Sequence, residues 1–115
     1  MSGCRGAIFF HLLMYCGMKK CTDEEIVSRL PHIAGWEVVR PEGVGRLFRV
    51  FAFDDFSGAV AFCVQVAMLA EKADHHPMMV VEWGSVQVSW WSHELKGVSE
   101  KDFEMAEATS ALYDS

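Results

Sequence analysis

"GAVAFCVQVAMLAEKADHHPMMVVEWGSVQVSWW", residues 58 to 91, changes its period partway along, and the fold follows from that change. Positions 59–64 and 66–70 are apolar almost without a break, a run that Asp55 or Ser57 can cap as a long helix. Pro77 disfavours helical backbone at the residue before it, so the helix must stop at the histidines and the chain must then extend. "MMVVEW" and "VQVSWW" read as two strands flanking Gly84-Ser85, a two-residue connection whose leading glycine suits a type II′ turn. Along the second strand Val86, Val88 and Trp90 share one face, while Gln87, Ser89 and Trp91 share the other, more polar one.

Upstream, Thr22 followed by Asp23, Glu24 and Glu25 has capping-box spacing and predicts a short helix over about 23–30, ended by Pro31. "GWEVV" at 35–39 and "RLFRVFAF" at 46–53 are β-branched and aromatic runs separated by proline and glycine, and they predict a strand pair. Downstream, Ser99 with Asp102 three positions on repeats the N-cap arrangement, and Phe103, Met105, Ala106 and Leu112 give a last helix something to bury. The order α-β-β-α-β-β-α implies a two-layer α+β domain with a four-stranded antiparallel sheet and its helices on one face. The central helix is too apolar for a single buried stripe, which predicts that a second copy covers its other side in a homo-dimer or homo-tetramer.

Composition narrows the function. The chain has 115 residues, 51% of them hydrophobic, enough for one packed core. Its net charge of -6, with ten scattered basic residues, gives no footprint for nucleic-acid phosphates, and direct nucleic-acid binding is not expected. Cysteines 4, 16, 21 and 63 form no C-x-x-C pair, which fits reduced thiols in a cytoplasmic protein, a nuclear or organellar pool being compatible. The apolar run from Ala7 to Cys16 is too short to span a bilayer, so no membrane anchor is expected there. "MKKCTDEEI" from Met18 reads like a second beginning, so residues 1–21 are taken as an extension and 22–115 as the domain.

Imidazole is the side chain whose ordinary pKa serves proton donation and acceptance near neutrality. His75 and His76 lie at the helix stop, and His93 lies just past the last strand, where the 78–91 hairpin can bring it back beside them. Asp74 could orient one ring, Ser92 offers a hydroxyl, and Trp91 offers an aromatic surface to a flat substrate. Taken without His93, the pair reads better as helix-end residues satisfying the last carbonyls. A metal reading has the right ligand type, but adjacent histidines lack the i, i+4 spacing of helical zinc sites. Asp102 reads as a cap, Trp36, Trp83 and Trp90 as core or interface residues, and Cys63 as inert packing.

"EKADHHP" at 71–77 and "SHELKGVSEKD" at 92–102, with "GWEVV" and "FAFDDFSGAVAF" upstream, resemble the pterin-4a-carbinolamine dehydratase family over roughly residues 22–113. The resemblance implies the fold derived above, dimers joined through sheets and tetramers through the long helix. It also implies dehydration of a 4a-hydroxy-tetrahydropterin to the quinonoid dihydropterin, in support of pterin recycling, with no metal or organic cofactor. It makes His75, His76 and His93 the acid-base residues, with Asp74, Pro77, Ser92, Glu94 and Leu95 near the pterin. Trp91, where many members carry a small hydroxyl residue, could narrow the pocket or stack on the pterin ring. Animal members also serve as dimerisation cofactors of a homeodomain transcription factor, so a protein-binding role without essential catalysis is the alternative. A metal-binding or orphan pterin-binding protein is the third.

Overall fold

A computed structural model describes residues 19–115. The expected elements follow one another as α1 (Asp23–Arg29), β1 (Glu37–Val39), β2 (Arg46–Ala52), α2 (Phe56–Ala73), β3 (Met78–Glu82), β4 (Ser85–Trp90) and α3 (Glu100–Asp114). The strands form one antiparallel sheet in the order β1-β2-β4-β3, so the last strand enters between the two hairpins' outer strands. The fold is α+β, with α2 and α3 packed together on the same side of the sheet.

Each helix begins where its cap predicts. The Glu25 amide donates to Thr22 Oγ1 at 3.2 Å, and the Thr22 amide donates back to Glu25 Oε1 at 2.9 Å. At the start of α2 it is Asp55 that caps, accepting from the Gly58 amide at 2.7 Å. At its end Asp74 takes a left-handed conformation, φ 50°, and its N–H bonds back to the carbonyls of Ala70 and Glu71. A left-handed residue at the last turn is the usual way to satisfy orphan carbonyls while turning the chain out of the helix. Pro31 ends α1 by passing it into a single 3-10 turn, Leu30–His32.

Alternation decides the core. Leu47 and Phe51 of β2, with Val86, Val88 and Trp90 of β4, face the helices and are buried. Ala59, Phe62, Val66 and Ala70 of α2 and Phe103, Met105 and Ala106 of α3 close over them. Phe51 is the hub, 4.8 Å from the Phe62 ring and 4.9 Å from the Tyr113 ring. The buried indoles are satisfied by α3: Trp90 Nε1 donates to Thr109 Oγ1 at 3.0 Å, and Trp36 Nε1 to Ser110 Oγ at 2.8 Å.

Two details depart from the expectations. The β3–β4 connection is Trp83-Gly84, because Glu82 pairs with Ser85. Gly84, φ 79°, is therefore the second central residue, whereas a type II′ turn needs positive φ at the first. Trp83 is 74% exposed, which removes the core half of its core-or-interface reading. Just before residue 22, the Cys21 amide donates to the Val98 carbonyl at 2.7 Å and Lys20 bridges to Ser99. The suggested extension through residue 18 lies outside the described residues.

Candidate active site

Antiparallel register decides which loops meet. Met78 faces Ser89, so the start of β3 and the end of β4 leave the sheet together, carrying His76-Pro77 and Trp91-Ser92 with them. Ser92 then pairs with Gly97, its amide donating to the Gly97 carbonyl at 2.8 Å, which folds residues 93–96 into a tight loop. Lys96 in this loop has φ 53°. His93 is thus held at the sheet end from which His75 and His76 emerge.

The adjacent histidines occupy opposite environments. His75 is 3% exposed and stacks on Trp90, ring centroids 5.8 Å apart and planes 5° from parallel. Its Nε2 lies 2.6 Å from Oδ1 of Asp102, which is wholly buried. A carboxylate can only accept, so Nε2 carries the proton, and in the neutral ring Nδ1 is the acceptor. His76 is exposed, with Nε2 2.8 Å from Glu71 Oε1 one turn back on α2. His93 is exposed too, and its ring lies 4.3 Å from that of Trp91, tilted by 33°.

Asp102 ties this end of the molecule together. Its Oδ2 accepts from Ser92 Oγ at 2.9 Å, from the Ser99 amide at 2.9 Å and from Ser99 Oγ at 3.2 Å. Ser92 and Ser99 share a further hydroxyl contact of 2.7 Å. Asp102 therefore caps α3, as the spacing predicted, and also orients His75, a role the local sequence did not signal. The Ser92 hydroxyl is turned inward on this network, with the residue fully buried.

Of the remaining candidates, Asp74 and Glu94 are exposed, and Pro77, Trp91 and Leu95 are half-buried at the same end. Trp91 is in contact with a residue that the sequence reading passed over: the Arg46 guanidinium lies 3.8 Å from its ring centroid. The only sequence signal for Arg46 is its place at the head of a strand paired with β4. Open hollows lie elsewhere, beside Lys20, Thr22 and Glu100, beside Asp23, Val27 and Ser28, and beside His32, Arg49 and Glu107, and none of these is lined by any of the three imidazoles. No group of three or more candidate metal ligands occurs among the described residues. The arrangement offers two exposed imidazoles and a third, fixed in one tautomer, at one end of a rigid sheet.

Residues 19–112 match the family described as pterin 4 alpha carbinolamine dehydratase. A relative from Microcystis aeruginosa, provisionally named pterin-4-alpha-carbinolamine dehydratase, is 41% identical over 97 residues, 84% of each chain. A relative from Gloeobacter violaceus, provisionally given the same name, is 47% identical over 88 residues, 76% of each chain. Among solved structures, a transcriptional coactivator/pterin dehydratase from Brucella melitensis superposes with a TM-score of 0.76 at 36% identity, covering 83% of this chain and 99% of its own. A pterin dehydratase-like protein identified as a RuBisCO assembly factor of the alpha-carboxysome superposes with a TM-score of 0.60 at 25% identity, covering 73% of this chain and 95% of its own.

Proposed function

Because the chain belongs to the pterin 4 alpha carbinolamine dehydratase family, we propose that it removes water from a 4a-hydroxy-tetrahydropterin by histidine acid-base catalysis. The observation that supports this reading is that the segments carrying His75, His76 and His93 leave the same end of the sheet, each imidazole with a different support. In the reaction the C4a–O bond breaks, N5 loses its proton and a C4a=N5 double bond forms. One group must therefore protonate the leaving hydroxyl while another accepts the N5 proton. In this reading His76 and His93 carry these transfers, which their exposure supports, since both can exchange protons with bulk water. His75 differs in being fixed, since Asp102 and Trp90 hold its ring, and its role in this reading is to position or polarise the substrate hydroxyl. Ser92 acts through Asp102, while Asp74, Pro77, Glu94 and Leu95 frame the pterin.

Direct observation of dehydration tests this, using synthetic 4a-hydroxy-tetrahydropterin and the single variants His76→Ala and His93→Ala. Each is expected to lower kcat by roughly 10²-fold or more, the usual contribution of a positioned acid or base. Near-normal rates in both variants would sink the assignment. The product is a quinonoid dihydropterin, so the activity supports recycling of a pterin cofactor in the cytoplasm.

A second surface accompanies this site. Phe56, Val60, Val64 and Met68, four residues apart on α2, are 51%, 38%, 50% and 63% exposed, and no charged residue occurs from 56 to 70. An uncharged stripe of this kind is self-complementary about a two-fold axis, and a second copy of the chain is its proposed occupant. Sedimentation at micromolar concentration is expected to show a dimer or larger species that Val64→Asp dissociates with the helical signal intact. A monomeric parent protein that binds another protein through this stripe would instead favour the coactivator role named for the Brucella melitensis protein.

A further inference from the structure

His75 and His76 are each oriented by a carboxylate, from Asp102 and Glu71 respectively. The His93 ring has no hydrogen bond among the described residues, and its one ring contact is the Trp91 indole. An exposed imidazole on a loop needs some support if it is to hold a reactive geometry, and here that support is the tilted contact with the indole.

The indole is itself held. Leu47 pairs with Trp90, and carrying that register one step further sets Arg46 across from Trp91 on the sheet face turned away from the helices. The guanidinium carbon lies 3.8 Å from the indole centroid, within cation–π range. Arg46 Nη1 reaches Met78 Sδ at 3.7 Å, and Arg46 forms no ion pair with a carboxylate among the described residues. Its Nε is buried and has no acceptor among the described residues. A buried donor left unsatisfied, on a cation without a counter-ion, is a cost that folding alone does not explain. The aromatic face is the principal partner of this side chain.

We propose that Arg46 and Trp91 are positioning residues for His93: Arg46 fixes the indole, and the indole fixes the imidazole at the mouth of the histidine site. This rests on His93 acting as an acid-base group in the dehydration proposed above. It also changes the role expected for Trp91, whose ring serves His93 instead of stacking on the substrate.

The test combines a spectroscopic and a kinetic readout on the full chain, comparing the unaltered protein with Arg46→Met, Trp91→Phe and Trp91→Ser. In the unaltered protein the ring current of the indole displaces the His93 carbon-bound ring protons from free-histidine positions in the NMR spectrum. Arg46→Met is expected to move them back toward those positions, Trp91→Ser to complete the return, and Trp91→Phe to retain part of the displacement. His75 signals, shifted by Trp90, should stay in place and report an intact fold. In Arg46→Met and Trp91→Ser kcat should fall about tenfold with KM changed less than about twofold, the pattern of lost positioning in the transition state. Unmoved His93 protons in Arg46→Met overturn the relay. A raised KM with unchanged kcat in Trp91→Ser also overturns it, by showing that the indole binds substrate directly. If the unaltered protein does not dehydrate the pterin, the proposed function fails, and the proton shifts alone then decide whether Arg46 positions His93 through Trp91.

Discussion

Replacing Asp102 is the most informative perturbation of this molecule, because one buried carboxylate supports both a helix start and a histidine. Its oxygens contact His75 Nε2, Ser92 Oγ, and the amide and hydroxyl of Ser99, all at 2.6 to 3.2 Å. Both Asp102 and His75 are out of water, so removing the acceptor strands several donors at once. Each buried donor left without an acceptor costs about 1–3 kcal/mol, and several are stranded together here. That is a large share of the roughly 5–15 kcal/mol that holds a domain together, and Asp102→Ala is expected to fold marginally. Asp102→Asn keeps the volume and one acceptor, and should cost about 1–3 kcal/mol. The sharper experiment is a double-mutant cycle between Asp102→Asn and His75→Phe, the second change retaining an aromatic ring over Trp90. Urea unfolding with unchanged m-values should give a coupling energy of about 1.5–3 kcal/mol, as for hydrogen bonds to charged groups. Coupling below about 0.5 kcal/mol would refute the assignment of Asp102 as the residue that holds His75.

Three further outcomes are expected. Phe62 is 4% exposed and touches the Phe51, Phe53 and Tyr113 rings, so Phe62→Ala should destabilise by about 3–5 kcal/mol in the same urea assay, and a loss under 1.5 kcal/mol would mean that α2 is packed otherwise. The Arg29 guanidinium, hydrogen-bonded to Glu100, holds that carboxyl below the ordinary carboxylate range, so its contribution is complete above the unfolded-state value and disappears as pH falls through the folded one. The pair is largely solvated, so Glu100→Gln should cost at most about 1 kcal/mol at pH 7 and nothing once Glu100 is protonated well below pH 4; an equal cost at both would contradict the link. Burial raises the pKa of the Cys63 thiol, and its sulfur lies 3.7 Å from Met79 Sδ, so peptide-resolved mass spectrometry should find it alkylated far more slowly in the native than in the urea-unfolded protein at pH 8.

Local chemistry carries the features that are legible in the sequence. Thr22, Asp55 and Asp102 cap because each carboxylate or hydroxyl lies within three residues of the amide that it serves. Val86, Val88 and Trp90 are buried because two-residue alternation is a property of the extended backbone itself. The turn at Trp83-Gly84 was misplaced by one residue, since a single glycine marks a turn more reliably than its position within it. Arg46 was overlooked because a strand-edge arginine is ordinary in sequence, and only the pairing of β2 with β4 brings it to Trp91.

For the histidines the division is the same. The sequence alone determined that two imidazoles stand at a helix stop ahead of a proline, that a hairpin follows, and that a third imidazole returns to the same end. It could not say which of the adjacent pair goes inside, because neighbouring residues in extended backbone face opposite ways and local chemistry is the same for both. The left-handed turn at Asp74 directs His75 inward, and Asp102, 27 residues away, completes its burial by supplying the acceptor that a dry imidazole requires. That contact depends on where α3 lies over β4, and so it was decided by the tertiary structure.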